Sequence, residues 1–413
     1  MAQPALEKFS RRGLLLAAAN TTLLPGTHGL QLIDGSAGRE FDKGERNIDR
    51  PHLGSKPFFK KNKRAFIQGT LEIIPPVKPG NVTLGVATVA PALLSTAMAQ
   101  VLSVSTGITR YNPISTSMPL VDGKWYQSGT LLDVTDGRGN LSAIKCEIGE
   151  PITAQYRMQG DYTEVEEEAL PSIDFSAFLA PTVATHNNSE LVIETINGLE
   201  VDLHLWGKML SIDQGNTIAT KEYTEHKETG ISERNSTFTA RFARPAKDDF
   251  DVQAVSDAHQ IIEGYWKLKE ADGRYTKIAF RGQIENVNDT DLDGDFGYEI
   301  TGPCVPSDSG NDEWSIEFGS DEFSLYFDFD QDKPEDVAAV YVQPVLRGEY
   351  VGPVTWSISA GALPAGLSIN ASTGEITGTP TDAGDSTFTI SAVDSTVGTP
   401  LTATIAGTLT ITA

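Results

Sequence analysis

A chain of 413 residues, 39% hydrophobic and 21% charged, has the length and composition of a globular protein with two or three domains. Its net charge of −24 argues against ordinary DNA binding, because an acidic surface repels phosphate backbones. No apolar run approaches the roughly 20 residues a membrane-crossing helix needs, and two cysteines, Cys146 and Cys304, can build neither a disulfide framework nor a four-cysteine zinc site.

Ser10-Arg11-Arg12-Gly13-Leu14-Leu15-Leu16 resembles a twin-arginine export signal. The apolar stretch stops at Ala19 without a cleavage site at the right distance, so the segment is expected in the mature protein. Residues 20–64, rich in Gly, Pro and charge, read as an extended arm or long loop. Ala65–Ile74 reads as a strand ended by Pro75-Pro76. Pro91–Leu102 reads as a helix, with Pro91 in its first turn and Leu94, Met98 and Val101 on one face.

Strands then dominate. Trp125–Val134 is one. Ile144, Cys146 and Ile148 alternate with polar residues, as do Ala154, Tyr156 and Met158, around a turn at Gly149-Glu150-Pro151. The acidic stretch Glu164–Glu190 reads as a loop. Leu191–Ile196 and Leu199–Leu210 are joined by Asn197-Gly198, a hairpin signal. Phe238, Ala240 and Phe242 alternate in the same way. Val252, Val255, His259, Ile262 and Trp266 recur at helical spacing and predict a second helix with a packed His259. Ile278–Ile284, Gly297–Ile300 and Trp314–Phe329 are further strands, the last fringed by 11 Asp and Glu against one Lys between Ser307 and Asp336. Both cysteines read as buried strand residues.

No catalytic motif stands out, and the six histidines (His28, His52, His186, His204, His226 and His259) lack ligand spacing. The chain is therefore expected to be no enzyme and to need no cofactor. One run, Asp289-Thr290-Asp291-Leu292-Asp293-Gly294-Asp295, has the carboxylate spacing of a calcium loop, with Gly294 at the bend. Ile300 stands where the loop needs a bidentate Glu, and the flanks read as strands, so a polar hairpin turn fits better than a metal site at Asp289, Asp291, Asp293 and Asp295.

The charge is unevenly spread. Residues 1–64 carry a net of about +6 and residues 337–413 about −4, which leaves about −26 on 65–336. Phe58-Phe59-Lys60-Lys61-Asn62-Lys63-Arg64 interleaves aromatics with base. Such a run can touch nucleic acid, but a contact with an acidic neighbouring copy fits the charge split better. The expected organisation is an N-terminal arm and loop at 1–64, a β domain at 65–336 and a separate module at 337–413. The expected fold is mainly β, an antiparallel sandwich or open barrel with flanking helices, plus a small Ig-like sandwich.

The order of features over roughly residues 5–305 resembles the tail tube (major tail) proteins of long non-contractile-tailed phages of siphovirus type. The resemblance rests on Phe9-Ser10-Arg11-Arg12, Arg46-Asn47-Ile48-Asp49-Arg50-Pro51-His52-Leu53-Gly54, the strand after Lys63-Arg64, the short helix Pro91–Leu102, Arg110-Tyr111-Asn112-Pro113, the strand with Trp125 and Asp136-Gly137-Arg138-Gly139-Asn140. It continues through Cys146, Gly149-Glu150-Pro151 and Met158-Gln159-Gly160-Asp161-Tyr162 to Ser211-Ile212-Asp213-Gln214-Gly215-Asn216. The end of the chain, about 345–413, resembles the Ig-like modules common on phage virions and bacterial surface proteins. It carries Leu363-Pro364-Ala365-Gly366-Leu367-Ser368-Ile369 and Ser372-Thr373-Gly374-Glu375-Ile376-Thr377-Gly378-Thr379-Pro380. Trp356, Leu363, Leu367, Ile369, Ile376, Phe388, Ile390 and Val393 are its expected core.

The resemblance implies a structural virion protein, assembled in the host cytoplasm, whose hexameric rings stack into a tube through the arm and long loops. Its partners would be itself, the tape measure and terminator proteins, and double-stranded DNA passing the lumen without specific binding. The Ig-like module would project outward and touch host glycans weakly, with no membrane partner. A secreted or cell-surface adhesin that binds calcium, or another virion part such as a decoration or tail terminator protein, are the alternatives.

Overall fold

Period-two alternation of apolar and polar side chains governs this chain, which folds as a nearly all-β protein. The computed structural model describes residues 12–25, 28–45, 58–76, 89–103, 108–162, 164–173, 180–223, 226–321 and 324–413, apart from 330, 332, 335, 342, 349 and 397–399. The start Phe9–Arg11 and the run Arg46–Gly54 lie outside these residues.

The first strands are β1 (Arg12–Ala18), β2 (Gly29–Leu30), β3 (Ile33–Glu45) and β4 (Phe58–Glu72). The expected arm and loop at 20–64 is thus corrected: β2, β3 and the first half of β4, from Phe58 to Arg64, fall inside it. The apolar run Leu14-Leu15-Leu16 is a strand covered on both faces. Leu14 and Leu16 enter the main core, and Leu15 packs on Tyr126 and Leu131 behind it.

The expected helix Pro91–Leu102 is also corrected. Helix α1 spans only Ala90–Ser95, and β5 (Met98–Ser103) follows. The side chains of Ser95 and Thr96 donate to the carbonyls of Ala92 and Leu93 at 2.7 Å, and Ala97 takes φ 58°, which ends the helix.

Next come β6 (Ile108–Pro113), β7 (Val121–Gln127), β8 (Thr130–Glu147), β9 (Thr153–Tyr162) and the short β10 (Glu166–Glu167). The single strand expected at Trp125–Val134 is two strands, because Ser128 (φ 53°) and Gly129 (φ 78°) make a two-residue hairpin turn. Cys146, Ala154, Tyr156 and Met158 are buried as their alternation predicts.

Then follow β11 (Ser189–Ile196), β12 (Leu199–Leu205), β13 (Gly207–Asp213), β14 (Asn216–Tyr223), β15 (His226–Arg234) and β16 (Thr237–Ala243). Asn197 (φ 51°) and Gly198 (φ 78°) form the expected hairpin turn, with Ile196 paired to Leu199. Helix α2 covers only Val252–Asp257, capped by Asp251, whose carboxylate accepts from Ala254 N at 3.1 Å. The helix expected to reach Trp266 stops because His259 adopts φ 53° and Ile261 opens β17 (Ile261–Lys269), where Ile262, Gly264, Trp266 and Leu268 alternate inward. His259 is exposed, not packed. The body closes with β18 (Arg274–Gln283), β19 (Asn286–Leu292), β20 (Asp295–Pro303) and β21 (Trp314–Ser320).

Apart from β14 and β15, which pair only with each other, these strands build two large antiparallel sheets. The twelve-stranded sheet runs β19-β20-β16-β13-β8-β7-β1-β2, with β9, β4 and β3 branching from β8 and β10 on its edge. The seven-stranded sheet runs β12-β11-β17-β18-β21-β6-β5. One core lies between them, with Tyr156, Phe238, Phe242, Trp266, Trp314 and Phe318 among its largest buried side chains.

A second core begins at Leu325 and Phe327, ahead of the boundary expected at 337. Its strands are β22 (Ser324–Tyr326), β23 (Lys333–Pro334), β24 (Ala339–Val340), β25 (Val345–Arg347), β26 (Thr355–Gly361), β27 (Leu367–Ile369), β28 (Ile376–Gly378), β29 (Gly384–Val393) and β30 (Thr402–Thr412). Sheets ordered β23-β30-β29-β26 and β24-β28-β27 enclose Trp356, Ile376, Phe388 and Ile390. Ala392 takes the inward place expected for Val393, because Phe388, Ile390 and Ala392 share one face of β29.

Candidate functional site

The β3–β4 hairpin is longer than the sheet that carries it. β4 pairs with β9 only from Ala65 to Glu72, whereas its pairing with β3 continues to Phe58 against Glu45. The outer halves therefore form a two-stranded ribbon that leaves the sheet beyond Gly160. Arg157 fixes its base, with Nη2 donating to Glu40 at 2.6 Å and the guanidinium over the Phe66 ring. Farther out, Arg64 lies 3.5 Å from Glu40 and 3.2 Å from Asp42, and Asn62 donates to Asp42 at 2.6 Å. The hydrogen bonds from Asn62 and Arg64 hold the Asp42 carboxyl below its ordinary value. Lys43, Lys60, Lys61 and Lys63 are exposed. Between Arg39 and Arg64 nine Lys and Arg stand against four Asp and Glu, so a segment of net +5 sits on a remainder of −29.

The opposite end of the strands has a different character. Trp206 is the single residue at which the chain crosses from β12 in one sheet to β13 in the other, and it is 85% exposed. Its carbonyl accepts from Ala243 N at 2.9 Å, and Arg244 N donates to the carbonyl of Phe296 at 3.2 Å. This backbone row brings Phe296, 70% exposed, to the same end of the sheet. Two clefts flank Trp206. One is lined by Glu190, Asp293 and Asp295, with Lys208, and the other by Asp202 and Asp249, with Arg244. Neither Trp206 nor Phe296 was singled out by the sequence reading. The available signal was Leu205-Trp206, two large apolar residues in succession where a half-buried strand alternates.

The four aspartates of the calcium-loop pattern lie on the β19–β20 hairpin. Asp293 (φ 58°) and Gly294 (φ 99°) are its two turn residues, and Leu292 pairs with Asp295. Asp291 accepts from Gly294 N at 2.7 Å, and Asp293 accepts from Lys208 Nζ at 2.7 Å. Among the described residues, no three His, Cys, Asp or Glu side chains come together as a metal-holding group. His204 lies 3.7 Å from Glu190 and 3.6 Å from Asp202, and His28 accepts from Leu24 N. His52 falls outside the described residues. Burial raises the thiols of Cys146 and Cys304 well above their ordinary range, with Glu313 adding to the effect at Cys304, so both stay protonated.

A cleft of about 480 Å³ lies at the far end of β15 and β16, lined by Ser115, Arg234, Ser236, Thr237, Cys304 and Glu313. Arg234 and Glu313 pair there at 2.6 Å, and Arg234 also donates to the carbonyl of Ile114. These contacts tie hairpin β14–β15 to the segment before β21. No helix among the described residues is long and apolar enough to cross a membrane.

Residues 330–412 match the family model described as "Putative Ig domain". The C-terminal unit is thus an Ig-like module, and its match begins close to the second core's first residues. No curated protein matches the chain. The module marks a surface or structural protein.

Proposed function

We propose that the chain is a structural protein of a phage virion, the tail tube subunit of a long non-contractile tail, and that it works by polymerising and not by catalysis. The observation that carries this reading is the β3–β4 ribbon. A basic, two-stranded projection on a strongly acidic body is the form expected of a subunit that engages its neighbour head to tail. Hexameric rings would join their large sheets around a lumen, and rings would stack through the ribbon. Double-stranded DNA would pass an acidic lining without adhering, since phosphates are repelled there. The tape measure and terminator proteins would be the other tail partners.

The Ig-like module would stand on the tube exterior. Repeated around a ring, even a weak contact with host glycans gains from multivalency. A surface adhesin is the second reading, favoured by the module alone.

Negative-stain microscopy of the purified chain tests the proposal. Tubes with a regular ring repeat support it. A chain that stays monomeric at high concentration contradicts it.

A further inference from the structure

Building on the head-to-tail reading, we propose that the acidic, aromatic end centred on Trp206 and Phe296 is the surface on which the basic β3–β4 ribbon of a second copy docks. Met209 of β13 pairs with Glu147 of β8, and Lys145, two residues earlier in β8, pairs with Thr153 of β9, which pairs with Glu72 of β4. Trp206 therefore lies at the Glu72 end of β4. The ribbon lies at the Phe58 end, separated by about 45 Å of strand at roughly 3.3 Å per residue. Donor and acceptor at opposite ends of one sheet make a heterologous contact, which joins copies head to tail and extends without limit wherever the rotation between copies does not close a ring.

Chemistry matches position. The ribbon presents exposed Lys43, Lys60, Lys61 and Lys63. The acceptor presents Glu190, Asp202, Asp249, Asp293 and Asp295 in two clefts, against Lys208 and Arg244. Between the clefts rises Trp206, 85% exposed, with Phe296 at 70% nearby. A large aromatic face beside carboxylates suits a lysine or arginine, which gains a cation–π contact and an ion pair together. Exposed side chains of this size, flanked by clefts, also have the form of interface anchors. The second copy is the occupant because its ribbon supplies the missing positive charge at the complementary end.

The test uses full-length variants. W206A/F296A removes the acceptor, and K60E/K61E/K63E removes the donor. Every altered side chain is exposed or partly so, and both variants should keep the wild-type circular dichroism and melting curve. Each alone should raise the concentration for half-maximal assembly at least about tenfold. Mixed together, they retain one live joint, so sedimentation velocity should show a species of twice the starting mass and nothing larger. Raising ionic strength from about 0.1 M to about 1 M, which shortens screening from about 10 Å to about 3 Å, should weaken wild-type association.

The outcomes separate the two proposals. If wild-type chains form tubes and W206A/F296A forms them equally well, the docking surface is wrong and the tube reading stands. If the wild type makes no tubes, but associates reversibly and the two variants complement each other, the docking stands and the tube reading falls. A wild-type chain that never associates overturns both.

Discussion

Arg234 and Glu313 form a buried ion pair, with Nε donating to Oε1 at 2.6 Å and the two side chains 14% and 5% exposed. The pair joins the end of β15 to the residue before β21, and so ties the small hairpin β14–β15 to the second large sheet. Removing one partner from such a pair strands the other charge out of water. Arg234→Ala is expected to destabilise the body by about 3–5 kcal/mol. The double change Arg234→Met with Glu313→Leu is expected to cost much less, because no buried charge remains. Urea unfolding followed by tryptophan fluorescence measures both.

Asp321 gives the body an acid-sensitive tie. Burial opposes its ionisation, but Lys267 Nζ at 2.8 and 2.9 Å and Lys269 Nζ at 2.9 Å prevail and hold its pKa below the ordinary 3.8. A carboxyl with a depressed folded-state pKa contributes fully above its unfolded value and loses that contribution as pH falls through the folded one. Asp321→Asn is therefore expected to cost about 1 kcal/mol at pH 7, the upper range for a partly exposed pair. The difference from wild type should shrink to nothing as pH falls below 3.8 through the depressed value. Thermal melts of both proteins across that range check the sign.

Calcium is expected to leave stability unchanged. Any ligand that binds only the folded state raises stability by mass action, about 2.7 kcal/mol at a hundredfold excess over its Kd. In the β19–β20 hairpin, Asp291 already accepts from Gly294 N and Asp293 from Lys208, so the turn is complete without a metal. Melting curves in excess calcium and in chelator should superimpose. A rise in calcium would restore the aspartate run as a binding loop.

Truncation should depend sharply on where the cut falls. Leu325 and Phe327 belong to the second core, where Phe327 and Phe329 meet edge to face and Phe329 packs on Phe388. Deleting 341–413 would leave these apolar side chains exposed on the body, and that product is expected to aggregate. Deleting 322–413 should give a folded body that still assembles. Light scattering of the two truncations distinguishes these outcomes.

Much of the strand content was legible, because Cys146, Ala154, Tyr156, Met158, Phe238, Ala240 and Phe242 alternate at period two and all are buried. Asn197-Gly198 revealed its turn because few other residue pairs accept two positive φ angles. The two helices were overextended for one reason. Apolar residues three and four apart continued past α1 and α2, but left-handed residues Ala97 and His259 turned each chain into a strand whose own alternation supplied the coincidence. The ribbon was readable as charge but not as structure, since β3 holds few apolar residues and is paired through backbone. Trp206 was hidden because a residue that switches between sheets obeys neither sheet's pattern.

Electron microscopy of the purified chain shows whether it polymerises. Tubes of uniform diameter with a regular axial repeat and small projections from the Ig-like modules are expected. Monodisperse particles that never form tubes, even after long incubation at high concentration and low salt, would contradict polymerisation.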